Sequence, residues 1–268
     1  MPIFLWQKSV AREWLEQNEA ELEAFNPAVI DWPGRKHLLL EVTGDKSIAN
    51  RLTNAFGGKT RRLPRNYLAS FLRPKSNEPI RIGNRLTIAN TGGAKSNRLV
   101  IPAGAAFGTG EHATTAMSLR LLERESRRLT KGWRMLDAGT GSGILALAAA
   151  RFGAERILAI DNDPLAISTA KENARRNRVE NIEFLCGDVA KRIRGRYDVI
   201  AANLFSDVLL TVLPRISLAW ASEGILILSG LMPNQESTLL RALKINSFAV
   251  SQTRRRCKWS ALLSQKRS

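Results

Sequence analysis

The chain is poor in acids, cysteine and histidine, and it has no long apolar run. Its two cysteines, Cys186 and Cys257, lie far apart with no C-x-x-C partner, which supports neither a disulfide framework nor a zinc site and reads as buried or unremarkable thiols. Its two histidines, His37 and His112, stand in no H-E-x-x-H or similar spacing, so no metal is expected. No apolar stretch approaches the roughly 18 residues of a membrane span. The opening "MPIFLWQKSVAREWLEQ" has too short an apolar patch for a signal-peptide core, so a cytoplasmic protein without a membrane partner is expected. A Walker A loop is missing, which argues against a nucleoside triphosphatase, and so is a G-x-S-x-G elbow.

The shortage of acid leaves 24 aspartates and glutamates against 41 lysines and arginines, a formal net charge of +17. A surplus that large favours an anionic partner such as RNA. Yet the runs "RESRR", "ARRNR" and "RRRCK" are scattered, as in a chain that is basic throughout, and only a clustered face would specify a site. With 268 residues, 44% of them hydrophobic, the chain can bury one large core or two modest ones.

Two styles of sequence meet near residue 95. Before it, residues 10–25 place Val10, Trp14, Leu15, Leu22 and Phe25 at helical spacing, "KHLLLEV" (36–42) reads as a strand, and 46–58 as a helix stopped by a glycine pair. A strand at 60–63, a helix around 65–72 and an extended piece at 80–90 complete a small α+β module, 1–95, that ends in the turn-rich "NTGGAKSN". From 133 onward short apolar runs alternate with helix-length segments, the mark of βαβ units, so 96–268 reads as a doubly wound, mostly parallel α/β domain.

Within that domain "MLDAGTGSGI" (135–144) carries glycines 139, 141 and 143 between a predicted strand and a predicted helix, where backbone can approach a nucleotide-like ligand. It is not the dinucleotide pattern G-x-G-x-x-G, since Ile144 takes the third glycine's place. Asp161 ends the next strand 22 positions after Gly139, near the offset of about twenty at which a carboxylate accepts both ribose hydroxyls. Asp163 fits a helix cap ahead of Pro164 equally well. Asp188 and Asn203 end the third and fourth strands, on the edge where such folds bind ligands, though either residue type also suits a plain turn.

The order "LDAGTGSG", "AIDNDP", "CGD", "AANL" resembles the class I S-adenosylmethionine-dependent methyltransferases. The stretch "IPAGAAFGTGEHATTAMSLRLLE" (101–123) resembles the hallmark of the ribosomal protein L11 methyltransferases, keeping Gly104, Ala106, Phe107, Gly108, Thr109, Gly110, His112, Thr114 and Thr115. "AANLF" and "SGLMPNQ" (229–235) are similar to two further motifs of that family. The resemblance spans roughly 100–265 and is faint before it, where the family carries a small ferredoxin-like substrate-recognition domain of which 1–95 suggest only part. It implies S-adenosyl-L-methionine as cofactor, with Thr115 and its loop closing over the methionine end and amides around Gly139 and Gly141 cradling it. It also implies Asp161 on the ribose, Asp188 on the adenine side, and Asn203 beside the sulfonium as the catalytic residue holding an acceptor amine. His112 is either a general base or, as such histidines more often are, a residue that holds its loop by hydrogen bonds.

The activity so implied is N-methylation of lysine or α-amino groups of ribosomal protein L11 by a monomeric enzyme. The same enzyme could act on another protein, a small amine or RNA; "NLFS" (203–206) in place of "N-P-P-Y" argues against amide and base nitrogens. A third reading is a non-catalytic, cofactor-binding ribosome-associated factor.

Overall fold

In the computed structural model, which describes residues 4–25, 27–30, 36–63, 78–102, 110–130 and 132–266, the chain divides into two units, Met1–Arg73 and Pro74–Ser268. The first runs β1 (Phe4–Ala11), α1 (Arg12–Glu23), β2 (Ala28–Ile30), β3 (His37–Gly44), α2 (Lys46–Phe56), β4 (Lys59–Arg62). Its strands pair antiparallel in the order β2-β3-β1-β4. This βαββαβ sequence is the ferredoxin-like arrangement, so the described part of this unit holds all six of its elements, where the sequence suggested only part. The two central strands and both helices share one core, with Trp6, Val10, Leu40, Leu22 and Leu52 buried in it. The helix expected from residue 10 begins at Arg12, and β1 was not expected. Val10 and Trp14 lie four apart, a spacing that a helical period of 3.6 and a strand period of 2 both satisfy, so the pattern could not place the boundary. Asp45 caps α2 by accepting a hydrogen bond from the Ile48 amide, and Gly57 at φ +70° ends it. The helix expected around 65–72 lies outside the described residues.

The second unit opens with a small sheet of β5 (Ile80–Ile82), β6 (Leu86–Ala89) and β7 (Arg98–Val100). After α3 (Ala113–Ser126) come β8 (Arg134–Ala138), α4 (Ile144–Phe152), β9 (Arg156–Asp161), α5 (Pro164–Arg176), β10 (Ile182–Cys186), α6 (Val189–Arg192), β11 (Tyr197–Asn203), α7 (Ser206–Leu218), β12 (Trp220–Leu231), α8 (Glu236–Ile245), β13 (Phe248–Arg256) and β14 (Trp259–Lys266). The sheet order is β10-β9-β8-β11-β12-β14-β13. Its first five strands run parallel, and β14 is antiparallel to both neighbours. Helices cover both faces: Leu119, Leu122 and Leu147 are buried on one, Leu209, Leu213 and Leu239 on the other. This is the doubly wound α/β fold expected from the alternation of apolar runs.

The compact units divide at 73/74, whereas composition suggested 95/96. The reason is burial: Ile82, Leu86, Ile88 and Leu99 are in the same core as Leu119 and Trp133. The segment "NTGGAKSN" is thus a loop within the second unit. Asn177, wholly buried at the end of α5, fastens β7, the strand after that loop: its Oδ1 accepts from the Val100 amide at 2.7 Å, and its Nδ2 donates to the carbonyls of Val100 and Asn173, both at 2.8 Å. Both cysteines are exposed, so neither is the buried thiol that the sequence allowed.

Asn177→Ala would strand the buried amide and carbonyl of Val100. It is expected to cost on the order of 3 kcal/mol and to lower the thermal midpoint by roughly 6–12 °C. An unchanged melting curve would remove Asn177 as the fastener.

Candidate functional site

The carboxyl ends of β8, β9, β10 and β11 converge on one edge, with Cys186 level with Asp161, Ala202 with Ala138, and Asn203 with Ser229. The loop from β8 to α4 lies along it. Its amides are engaged internally: Gly139 and Thr140 both donate to the Ile160 carbonyl (2.8 and 3.0 Å), Gly141 donates to Asp161 Oδ2 (2.8 Å), and Gly143 to the Thr140 carbonyl (2.9 Å). What Gly139 and Gly141 offer a ligand is therefore close approach of bare backbone, while their own N–H groups hold the loop to β9.

Gly139 has φ +76°, and a Cβ there would come within 2.2 Å of Leu204 Cδ2. Gly230, at φ +95° beside a register shift in β12, would place a Cβ 2.2 Å from the Leu204 carbonyl oxygen. The Leu204 amide in turn donates to the Ser229 carbonyl at 3.1 Å. Leu204 thus joins three stretches that are separate in sequence, the glycine loop, "AANL" and "SGLM"; its backbone excludes a Cβ at position 230, and the positive φ favours glycine at 139.

Asp137 ends up wholly buried beneath the loop. Its Oδ2 accepts from Thr140 Oγ1 at 2.7 Å and from the Ala146 amide at 3.2 Å, while Oδ1 is buried with no partner. Burial raises its pKa to about 6 against the pull of those two hydrogen bonds, with Asp161 adding a little. Asp161 is partly buried, its second oxygen accepting from the Asp163 amide at 3.1 Å. Asp163 caps α5 through the Leu165 amide, which is the capping alternative weighed for it. Asp188 is exposed and caps α6 through the Ala190 amide at 2.9 Å, with Lys191 at 3.7 Å. It lies at the same edge, since the Gly187 amide donates to the Asp161 carbonyl.

Asn203, at the end of β11, reaches Thr115 Oγ1 with its Nδ2 at 3.4 Å; its Oδ1 is buried without a partner. Thr115 is buried in the first turn of α3. His112 precedes that turn, its Nδ1 2.7 Å from Thr114 Oγ1 and its ring edge-on to Trp259 with 5.2 Å between ring centres. Gly104, Ala106, Phe107, Gly108 and Thr109 lie outside the described residues. The sequence reading gave no separate role to Asp137, Leu204 or Gly230. All three stood inside quoted motifs, but a contact between motifs is visible only once the chain is folded. Among the described residues no group of three or more histidines, cysteines, aspartates or glutamates could hold a metal ion. Nor is any helix among them long and apolar enough to cross a membrane.

The family model for ribosomal protein L11 methyltransferase (PrmA) matches residues 73–267. The chain belongs to the ribosomal protein L11 methyltransferase family. It is 39% identical over 191 residues to the ribosomal protein L11 methyltransferase of Pelotomaculum thermopropionicum, a match covering 69% of this chain and 61% of that protein. It is 36% identical over 195 residues to the one from Heliobacterium modesticaldum, covering 70% and 61%. A solved structure of a ribosomal protein L11 methylase from Lactobacillus delbrueckii subsp. bulgaricus superposes with a TM-score of 0.64 at 28% identity, over 71% of this chain and 99% of that one. The chain thus matches about 61% of the length of these two curated relatives. Among the described residues, the candidate site lies within the stretch shared with the family.

A carboxyl group whose pKa is raised by folding binds more protons in the folded than in the unfolded state between its two pKa values. Asp137 therefore costs stability progressively as pH rises from about 4 to about 6, by on the order of 3 kcal/mol in all. Asp137→Asn cannot titrate. The wild-type midpoint is thus expected to fall relative to the variant's across that window; parallel curves would refute it.

Proposed function

We propose that this chain is an S-adenosylmethionine-dependent protein N-methyltransferase acting on lysine or α-amino groups of ribosomal protein L11. The observation that carries the reading is the meeting, at one sheet edge of a member of this family, of the glycine loop, the Asp161 carboxylate and the unpartnered buried Oδ1 of Asn203.

The residues suit the cofactor. Asp161 spends one acceptor position of each oxygen on the amides of Gly141 and Asp163. A carboxylate offers about four such positions, so both vicinal hydroxyls of a ribose can be accepted as well. The bare backbone at Gly139 and Gly141 admits the ligand closely, Thr115 closes the methionine end, and the edge at Asp188 takes the adenine side. When bound, S-adenosylmethionine supplies an electrophilic methyl group on a sulfonium.

This chain's own part is then to hold and desolvate the acceptor. Asn203 Oδ1 can accept a hydrogen bond from an amine N–H and so turn the nitrogen lone pair towards the sheet edge. Alignment of this kind can supply ~7–11 kcal/mol of a barrier. A lysine amine, with an ordinary pKa near 10.4, must first lose a proton, and removal from water lowers that pKa. No dedicated base is required. The N-terminal unit, Met1–Arg73, which makes up most of the stretch 1–95 set apart by composition, is assigned the recognition of the protein substrate.

Calorimetric titration with S-adenosylmethionine is expected to show one site. Asp161→Ala should weaken it by on the order of a hundredfold, the loss of two charge-assisted hydrogen bonds reduced by residual contacts. Asn203→Ala should leave that affinity nearly intact and lower kcat on L11 by roughly 10–100-fold. Full cofactor binding by a folded Asp161→Ala protein would contradict the assignment.

A further inference from the structure

The charge surplus has a local focus at the same sheet edge. Strand β13 ends in Arg254, Arg255 and Arg256, followed by the turn at Cys257 and Lys258. Because side chains alternate along a strand, Arg255 goes to one face and its two neighbours to the other. Arg255 is bound there by Glu236 of α8 at 2.8 Å, a carboxylate that also takes a hydrogen bond from Ser260. Arg254 and Arg256 share their face with α3, and among the described residues neither has a carboxylate within ion-pair reach. Their charge depresses the pKa of Arg120 on α3, a shift led by partial burial and then by Arg256 and Arg254. Three guanidinium groups held this near one another repel unless an anion lies between or over them.

Their position is also informative. Strand β14 is antiparallel, so it starts at the carboxyl edge, where Ser260 is level with Leu231 and Arg256 with Trp259. Trp259 touches His112, just ahead of the helical turn that carries Thr115, and Lys258 lies over the Trp259 ring at 5.7 Å. The cationic strip therefore borders the candidate site.

We propose that Arg120, Arg254, Arg256 and Lys258 form a docking surface for the phosphate backbone of RNA, beside the methyl-transfer site. Three features select RNA over an acidic peptide. The cations are mainly arginines, whose planar fork grips phosphate in pairs of hydrogen bonds. A half-buried tryptophan stands at the same edge, as on surfaces where bases stack. The whole chain, at +17, attracts a long polyanion far more strongly than a short one. An acceptor protein could then be met while it is bound to RNA, the nucleic acid steering the complex to this edge. Binding is measured without cofactor, so the proposal stands or falls separately from methyl transfer.

The test is fluorescence anisotropy of a labelled mixed-sequence RNA of about 20 nucleotides, titrated with the full chain at several salt concentrations. Arg254→Gln with Arg256→Gln is expected to weaken binding roughly tenfold or more and to reduce the slope of log affinity against log salt by about 1.4. The control pair Arg175→Gln with Arg178→Gln, exposed on and just after α5, is expected to change binding less than threefold. Arg254→Lys with Arg256→Lys guards against misfolding, being expected to weaken binding while keeping the salt slope. Equal losses from test and control pairs would show diffuse charge and overturn the proposal. So would absence of RNA binding, or polyglutamate of equal length competing as well as unlabelled RNA.

Discussion

Leu204 sits against two glycines, both at positive φ, its side chain over Gly139 and its carbonyl oxygen against Gly230. The rest of the sheet edge depends on that fit. It sets the height of the glycine loop relative to the end of β11, and so fixes where Asn203, the residue before it, stands relative to Asp161. The burial of Asp137 completes the arrangement from below, holding Thr140 and the Ala146 amide at the start of α4. A wholly buried carboxylate with one unpaired oxygen is costly, and the two apolar cores on either side of the sheet offset that cost. The site is thus a place where stability is given up for placement.

The two units contribute differently. The family match covers 73–267 and leaves the N-terminal unit outside it, yet that unit keeps the full βαββαβ order around its own core. A core of this kind requires only that apolar residues recur on the right face, and many sequences satisfy it. In the second unit particular positions are pinned as well, since a Cβ at Gly230 would meet the Leu204 backbone and one at Gly139 its side chain.

The parallel sheet was legible in the sequence because runs such as "RILAID" and "YDVIAANL" are apolar throughout, as strands covered on both faces must be. The positions of Gly139, Asp161 and Asn203 at the sheet edge were legible because each closes or follows such a strand. Strand β1 was not, since Val10 satisfies two periods at once. The boundary at 73/74 was missed because β5 to β7 are short and their turns polar, while their burial against Leu119 and Trp133 is a tertiary fact. The roles of Leu204 and Asp137 were hidden for the same reason: each acts through a contact with residues remote in sequence or through burial, and neither leaves a periodic trace.

The most direct measurement is intact-mass spectrometry of ribosomal protein L11 after incubation with the purified chain and S-adenosylmethionine. Mass gains in whole methyl steps, absent when the chain carries Asn203→Ala and Asp161→Ala together, are the expected result. An unmodified L11 mass, from a folded chain that binds the cofactor, would contradict the account of what this sheet edge acts upon.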